Sequence, residues 1–261
     1  MYIKSIQMKT IKFLLLFLST NVLFAFNQTV GDTNKTDANG LKQGIWKEKI
    51  ERDEWIGEYV NDLKEGTWLT YHPNAKAPLI SKMENYKGNR KNGFSLVIDR
   101  NGTVTKQENY KNDTLDGPSR EYLYGGNIKA ETTYKMGKLD GVKHTYYADN
   151  YKIQEESFYK NNLRDGTTKW FYSDGGAYLE QTYKNGILEG VVKAYYKNGN
   201  ITSQGVYINN EMEGEYFEFY ENGKVKISGK YVKGKKEGVW KEYDENEKMK
   251  QTKYKNDVVV K

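Results

Sequence analysis

The sequence predicts an all-β protein, a single-layer, twisted antiparallel meander of about nine two-stranded hairpin repeats, each of ~24 residues. Three observations lead to this prediction. A glycine that usually follows an acidic residue recurs at nearly constant intervals, and a tyrosine stands at a fixed distance before it. Turn-forming pairs that end in glycine separate short runs of β-branched and aromatic residues, whereas no segment after residue 26 keeps a helical period.

The composition favours a folded protein without a thick core. The chain of 261 residues is 29% charged but contains 23 Tyr, 9 Phe and 5 Trp, and disordered chains are poor in such rings. Amphipathic rings suit half-exposed surfaces, such as those of a one-layer sheet. Cysteine is absent from the sequence, which excludes disulfides, thiolate metal ligands, a thiol nucleophile and a lipid-modified cysteine.

Residues 1–26 have the features of a secretory signal peptide. Lys4, Lys9 and Lys12 precede an apolar run that is too short to span a membrane comfortably. We expect cleavage after Ala25, with an uncleaved anchor as the alternative, and therefore export to the periplasm, the outer membrane or the medium. Without these three lysines the net charge of +6 falls to +3, too small an excess for nucleic-acid binding.

Nine glycines define the units. Successive glycines lie 22 to 27 residues apart, and most of the intervals are 24 residues. We call these positions the repeat glycines: Gly44, Gly66, Gly93, Gly117, Gly141, Gly166, Gly190, Gly214 and Gly238.

A tyrosine stands seven residues before each of the last eight repeat glycines, and one more follows the ninth glycine. The segment from a repeat glycine forward to the next tyrosine varies from 15 to 20 residues. One turn of each hairpin is therefore fixed in length, whereas the opposite turn tolerates insertions, as at Pro73 and Pro78. We call these residues the repeat tyrosines: Tyr59, Tyr86, Tyr110, Tyr134, Tyr159, Tyr183, Tyr207, Tyr231 and Tyr254.

Each unit is expected to contain two strands, which gives roughly 18 strands in all. Pairs ending in glycine lie between the strands and predict two-residue hairpin turns, in which both central residues need positive φ. These pairs are Asn101-Gly102, Gly125-Gly126, Asp174-Gly175, Asn198-Gly199 and Asn222-Gly223.

The residue five positions after the repeat glycine is aromatic in seven of the nine units. Equivalent positions of successive hairpins are roughly 10 Å apart, and the repeat tyrosine of the intervening strand could fill that gap. We therefore expect one continuous aromatic ladder on one face, with the repeat glycine letting a ring or backbone approach closely. The +5 aromatic residues are Tyr71, Tyr122, Tyr146, Phe171, Tyr195, Phe219 and Tyr243.

The units resemble a known family of repeats. GKYVKGKKEGVWKEYDENEK and GEYVNDLKEGTWLTYHPNAK combine a Gly-x-Trp sequence, an aromatic residue five positions after the glycine and the Tyr-to-Gly spacing of seven. In these features they are similar to MORN repeats of the bacterial variant often labelled antitoxin-like. The resemblance covers residues 41 to 254 and implies a single-layered sheet of hairpins that serves as an interaction scaffold, without catalytic residues. We divide the chain into a signal peptide (1–26), a polar linker and N-terminal cap (27–40) and a MORN-like repeat domain (41–261).

Candidate catalytic and metal-binding residues are few. His72 and His144 lie three units apart, roughly 30 Å, and we interpret them as solvent-facing strand residues. No serine lies in a G-x-S-x-G motif. We therefore predict no enzymatic activity, no metal and no cofactor. Carboxylates recur directly before the repeat glycine, which indicates turn chemistry rather than an acid–base pair, at Glu65, Asp116, Asp140, Asp165, Glu189, Glu213 and Glu237.

Two further patterns concern ligands. A row of lysines has two interpretations. It could form a stripe that binds phosphate, lipid headgroups or an acidic polymer, or, as the favoured interpretation, each lysine pairs with the acidic residue across the same turn. Aromatic pairs such as Tyr146-Tyr147 and Tyr195-Tyr196 are similar to those of sugar-binding hairpin repeats in cell-wall proteins of the choline-binding type, although we expect packing to occupy these rings. The lysine row, directly after the repeat tyrosines, is Lys87, Lys111, Lys135, Lys160, Lys184 and Lys255.

These observations favour an exported, non-enzymatic repeat scaffold that mediates protein–protein interaction at the cell envelope. The alternatives are a carbohydrate- or lipid-binding envelope module and an antitoxin-like neutralising protein. Unpaired sheet edges invite association, so the ends of the ribbon are candidate sites. The polar segment around Asp37 is expected to cap one edge, whereas Val258, Val259 and Val260 predict a docking edge for a partner or for self-association.

Overall fold

Among the residues that the structure describes, the chain forms one antiparallel sheet of 23 strands, arranged as a meander along the sequence. The structure, a computed structural model, describes residues 33–75 and 78–261. These residues contain no helix, and therefore none that could cross a membrane. The prediction of an all-β meander of hairpins is confirmed, whereas the expected signal peptide lies outside the described residues.

The strands are short and evenly distributed along the ribbon. The first seven are β1 (Lys35–Thr36), β2 (Lys42–Ile50), β3 (Asp53–Val60), β4 (Leu63–Tyr71), β5 (Ile80–Lys87), β6 (Arg90–Ile98) and β7 (Val104–Lys111). The next ten are β8 (Thr114–Leu115), β9 (Gly117–Tyr122), β10 (Ile128–Lys135), β11 (Lys138–Tyr146), β12 (Ile153–Lys160), β13 (Leu163–Arg164), β14 (Gly166–Phe171), β15 (Ala177–Lys184), β16 (Ile187–Leu188) and β17 (Gly190–Tyr195). The last six are β18 (Ile201–Ile208), β19 (Glu211–Phe219), β20 (Val225–Val232), β21 (Lys235–Tyr243), β22 (Met249–Lys255) and β23 (Val258–Val260).

Bulges explain why the sheet has more strands than the roughly 18 expected. Strands β8 and β9, β13 and β14, and β16 and β17 are each separated by one acidic residue directly before a repeat glycine. The backbone N–H of that residue donates to the facing strand, as from Asp116 to the Asn109 carbonyl at 2.9 Å. The two halves therefore act as one bulged strand. Counted in this way, the sheet has the expected strands plus the short edge strands β1 and β23.

Nine two-residue turns line one long edge of the ribbon, which we call the tyrosine-turn edge. They occupy the second and third positions after each repeat tyrosine, and both residues have positive φ, between 48° and 82°. This is the type I′ turn, which Asn, Asp and Gly adopt most easily. Its fixed length of two residues accounts for the constant Tyr-to-Gly spacing. The turns are Asn61–Asp62, Gly88–Asn89, Asn112–Asp113, Met136–Gly137, Asn161–Asn162, Asn185–Gly186, Asn209–Asn210, Lys233–Gly234 and Asn256–Asp257.

The opposite edge, which we call the loop edge, carries the pairs from which two-residue turns were predicted. That turn type is wrong: in four of the five pairs only the glycine has positive φ, as at Gly199 with 89°. Tyr196 N–H donates to the Asn200 carbonyl at 2.8 Å, and Gly199 N–H donates to the Tyr196 carbonyl at 3.0 Å. These are three-residue loops that end in a left-handed glycine. Longer loops at this edge absorb the insertions near Pro73 and Tyr151.

The sheet has little core because it has one layer. Only a few side chains are buried, with Trp68, Leu69 and Trp240 at 1%, 3% and 5% exposure. An apolar cluster of Leu69, Met83 and Leu96 lies on the face opposite to Trp68. Most of the remaining strand residues are partly exposed, so both faces are available to ligands.

Candidate functional site

Every repeat glycine lies directly opposite a repeat tyrosine, from the Gly44–Tyr59 pair to the Gly238–Tyr254 pair. All nine glycines have positive φ, between 65° and 124°. A Cβ added at any of them would meet no repeat tyrosine within 4 Å. The expected close approach of a ring is found at Gly166, where an added Cβ would lie 3.6 Å from the ring of Phe158, but not at Gly44, Gly66, Gly214 or Gly238, where it would meet nothing within 4 Å. The backbone conformation at the bulge requires glycine.

A ring does approach backbone closely at a different glycine, two residues before a repeat tyrosine. A Cβ at Gly229 would lie 2.2 Å from the Trp240 ring. This ring packs between Tyr231 and Tyr254, with centroids 5.0 and 6.2 Å away in edge-to-face geometry. Such pairs stabilise by roughly 0.5–1.5 kcal/mol beyond the burial of their surface. At both ends of the ribbon, tryptophans and repeat tyrosines thus pack against each other on the face that carries the repeat tyrosines, which we call the tyrosine face.

The same arrangement at the N-terminal end of the ribbon holds a lysine. Trp68 covers Gly57, and the Lys64 ammonium lies 4.7, 4.1 and 5.3 Å from the ring centroids of Trp55, Trp68 and Tyr86. Burial lowers the pKa of Lys64. The residue two before the repeat glycine covers rings in four further units, as Lys42, Lys91, Arg164 and Lys236.

Carboxylates on the tyrosine face accept hydrogen bonds from repeat tyrosines. Glu84 is 4% exposed, accepts from the Tyr86 hydroxyl at 3.2 Å and forms an ion pair with Lys91 at 2.5 Å. Glu108 accepts from the Tyr110 hydroxyl at 2.9 Å. Burial, together with the Glu108 carboxylate, raises the pKa of Tyr110 to about 12. These carboxylates are engaged in structural contacts.

The +5 aromatic residues lie on the other face, which we call the +5 face. Gly66 faces Tyr86, and Tyr71 follows Gly66 by five positions on the same strand. Since side chains alternate between faces, an odd separation puts Tyr71 on the opposite side of the sheet. Among the described residues, no ring contact joins a repeat tyrosine to a +5 aromatic residue. The prediction of one combined ladder is wrong, because the two sets have opposite parity.

A row of alternating charges crosses the strands on the +5 face. Its members pair in register, and the closest contacts are Arg120–Glu131 at 2.6 Å, His144–Glu156 at 2.9 Å and Lys169–Glu180 at 3.8 Å. In the second and third units this column is instead the apolar cluster. We call the charged row the ionic ladder; it consists of Arg120, Glu131, His144, Glu156, Lys169, Glu180 and Lys193.

Both histidines make specific contacts, so the prediction that they face solvent freely is wrong. His72 Nε2 lies 3.0 Å from the Ile98 carbonyl oxygen of the next unit. His144 belongs to the ionic ladder, and both side chains are partly buried. Within residues 33–75 and 78–261 no group of three or more His, Asp or Glu side chains is arranged to hold a metal ion.

The seven recurring carboxylates link neighbouring units through hydrogen bonds at the tyrosine-turn edge. Each accepts a hydrogen bond from the backbone N–H of the first residue in the next unit's turn, as Glu213 does from Lys233 at 2.7 Å. The other six bonds are 2.7 to 3.3 Å long. The interpretation of these carboxylates as turn chemistry therefore agrees with the geometry, since each satisfies a turn amide.

The lysine row lies at the same edge, and all six side chains are exposed. None of the six forms an ion pair within 4 Å in the part of the chain that the structure describes. The favoured expectation, that each lysine pairs with the acidic residue across the same turn, is wrong. The carboxylates are held by turn amides instead, which leaves the ammonium groups in solvent.

One recurring contact was not anticipated. Four tyrosines, each six positions after a repeat glycine, donate from the hydroxyl to a backbone carbonyl of the next unit. His72 takes the same place in the second unit and meets the equivalent carbonyl. A tyrosine at this spacing in four consecutive units was the available signal. The donors are Tyr147, Tyr172, Tyr196 and Tyr220, with oxygen–oxygen distances of 2.6, 2.9, 2.8 and 2.7 Å.

The two outer strands differ in how they are covered. At the N-terminal edge the Asn34 side chain accepts from Lys47 N–H at 2.7 Å and donates to the Lys47 carbonyl at 3.0 Å. At the other edge Val258–Val260 pair with residues 253–255 of β22. Val258 and Val259 are 65% and 63% exposed. The latter edge therefore presents apolar side chains to solvent.

Comparison with known proteins identifies the repeat. The model of the MORN repeat variant matches four consecutive repeats, at residues 164–185, 188–209, 212–233 and 236–256. The resemblance drawn from the sequence is confirmed for these repeats. No curated protein matches the chain.

Proposed function

We propose that this chain, whose residues 164–256 are four MORN repeat variants, is an exported, non-enzymatic scaffold that binds a protein partner at the cell envelope. One observation carries the proposal. The recurring carboxylates and both histidines are engaged in contacts within or between units, while two wide faces and one sheet edge stay accessible. Such an arrangement favours binding of extended partners over turnover of small molecules.

We place the protein contact at the edge formed by β22 and β23. Strand β23 covers residues 253–255 of β22, so residues 249–252 keep an outer side without a neighbouring strand among the described residues. An exposed edge accepts an additional strand through main-chain hydrogen bonds. The exposed Val258 and Val259 side chains would add apolar contact to that pairing.

A Val259→Lys substitution tests this edge. Val259 faces the repeat tyrosine Tyr254, and Lys64 and Lys236 hold the equivalent place opposite Tyr59 and Tyr231, so we expect the fold to tolerate lysine there. The added charge should abolish dimerisation or partner capture in sizing chromatography and pull-down from envelope fractions.

Val239→Lys is the matched control, because Val239 is 48% exposed but lies in the interior strand β21. The control should behave like the wild type. Unchanged elution and capture for Val259→Lys, or equal losses in both variants, would show that this edge is not the contact.

The export part of the proposal depends on residues 1–26. We expect the mature N-terminus near Phe26 and outside the cytoplasm. N-terminal sequencing of the purified mature protein measures this. An intact Met1 or Met8 in a cytosolic fraction would contradict export and would leave antitoxin-like neutralisation as the stronger alternative.

A lipid surface is the second candidate partner, favoured by the exposed lysine row without ion pairs. Charge attraction of this kind weakens with salt. Co-sedimentation with anionic phosphatidylglycerol vesicles at low and high salt, using Lys135→Glu and Lys160→Glu, tests it. Binding that neither salt nor these substitutions reduce would contradict a lysine-based contact.

A further inference from the structure

The +5 face of the fourth to ninth units carries six aromatic side chains in equivalent positions. All six are partly exposed. These six rings lie on the face opposite to the repeat tyrosines, and none of them contacts a repeat tyrosine in the part of the chain that the structure describes. Only two of the six make a ring contact within the described residues, Tyr146 with His144 and Phe219 with Phe217. The six are Tyr122, Tyr146, Phe171, Tyr195, Phe219 and Tyr243.

The ionic ladder runs beside this aromatic column on the same face. The Tyr195 hydroxyl donates to Glu180 of the ladder at 3.2 Å. The Tyr122 hydroxyl donates at 3.1 Å to Gln107, which faces the ladder residue Arg120 in register. The ladder supplies guanidinium, ammonium, imidazole and carboxylate groups, which both donate and accept hydrogen bonds. From Tyr122 to Tyr195, rings for stacking therefore lie beside polar groups for hydroxyl recognition, and together they form one strip.

The charge balance of the strip selects the kind of ligand. Three cations, Arg120, Lys169 and Lys193, face three carboxylates in the ladder, so the fixed charges cancel locally. A strongly charged polymer gains little attraction from such a surface. A neutral ligand rich in hydroxyl groups can bond to both signs of charge without leaving either unpaired.

We infer that this strip binds a neutral, linear β-linked polysaccharide that lies across the strands, along the length of the ribbon. Successive rings are roughly 10 Å apart, two strand spacings of ~4.8 Å. Two β-1,4-linked pyranose rings span about the same length, so alternate sugars of one chain would meet successive aromatic residues. The apolar faces of the sugars would stack on the rings, and their hydroxyl groups would bond to the ladder.

Affinity electrophoresis of the full chain in gels that contain hydroxyethylcellulose or glycol chitin tests this inference. The wild type should be retarded by these neutral polymers and less by carboxymethylcellulose, which is anionic. The variant with Tyr146→Ala and Tyr195→Ala should bind about 100-fold more weakly, since one aromatic contact contributes on the order of tenfold. Tyr124→Ala is the control, because Tyr124 is 84% exposed and lies outside the column.

A second measurement uses the wild type alone and so does not depend on whether a substituted protein folds. Nitration of the wild type, followed by peptide mass spectrometry, should show Tyr146 and Tyr195 protected by the N-acetylglucosamine hexamer but not by the dimer, with Tyr124 modified equally throughout. No retardation by either neutral polymer, equal loss of affinity in Tyr124→Ala, or unprotected Tyr146 and Tyr195 would overturn the inference. Binding only to a protein or to vesicles would overturn it as well.

Discussion

Replacing Gly229 by alanine should destabilise the C-terminal units by about 2–3 kcal/mol. The backbone at Gly229 is not in the left-handed region, so alanine adds no backbone strain. The new Cβ would lie 2.2 Å from the ring of Trp240, which would have to move by about 1.2 Å to reach ordinary contact. Overpacking of this kind costs typically 1–3 kcal/mol. Displacement also weakens the contacts of Trp240 with Tyr231 and Tyr254, worth roughly 0.5–1.5 kcal/mol each.

Gly205→Ala is the matched control, since Gly205 also stands two residues before a repeat tyrosine. Its added Cβ would lie 3.2 Å from Tyr216, which needs a shift of only a few tenths of an ångström. We expect its cost to stay below about 1 kcal/mol. Urea unfolding followed by tryptophan fluorescence and circular dichroism gives both values. If the two variants lose the same free energy of unfolding, the ring of Trp240 is not what makes glycine necessary at 229.

Three further predictions concern the contacts between units. Glu213→Ala should cost about 1 kcal/mol of unfolding free energy because it removes the acceptor for Lys233 N–H, whereas replacing the exposed Glu215 by alanine should cost almost nothing. Chemical denaturation compares the two variants, and equal losses would count against the turn contact. Tyr196→Phe should lower stability by about 1 kcal/mol through loss of the bond to the Phe219 carbonyl, measured in the same way, and an unchanged midpoint would contradict it. The pKa of Tyr110 is raised to about 12, so the unfolded chain releases this proton first, and stability is intact below pH ~10 but falls as pH rises towards 12. Tyr110→Phe should flatten that decline in a pH series of melting curves, and an identical decline would refute the assignment.

The repeat and its period were predictable because the backbone conformation restricts which residue types can occupy particular positions in each unit. The repeat glycines need positive φ, and the two-residue turns fix the distance back to the tyrosine, so both leave an invariant spacing. The turn residues themselves, such as Asn209–Asn210 after Tyr207, are of types that adopt positive φ, but Asn-Gly pairs such as Asn198-Gly199 are the stronger turn signal in a sequence. Those pairs belong to three-residue loops, in which only the glycine has positive φ.

The face on which each side chain lies was harder to predict, because it depends on whether the residue stands at an odd or an even position along its strand. Tyr71 and Tyr86 are both aromatic and periodic, yet one strand register puts them on opposite sides. The ionic ladder was missed because its members are 11 to 13 residues apart in sequence, and only the register shows that they are neighbours. The role of the recurring carboxylates in turn chemistry was predictable. The group that donates to them, the backbone N–H of the next unit's turn, could be identified only from the hairpin geometry.

The central claim is that each unit is held in place by its neighbours through contacts that repeat with the unit. Deleting residues 190–213 removes one whole unit and brings Gly214 to the place of Gly190, where it still faces Tyr231. Deleting residues 190–201 removes half a unit and leaves the remaining strand without a glycine at the bulge. Thermal unfolding by circular dichroism should show a cooperative β-protein for the first deletion and a clearly less stable or unfolded one for the second. Similar unfolding curves for the two deletions would contradict the account.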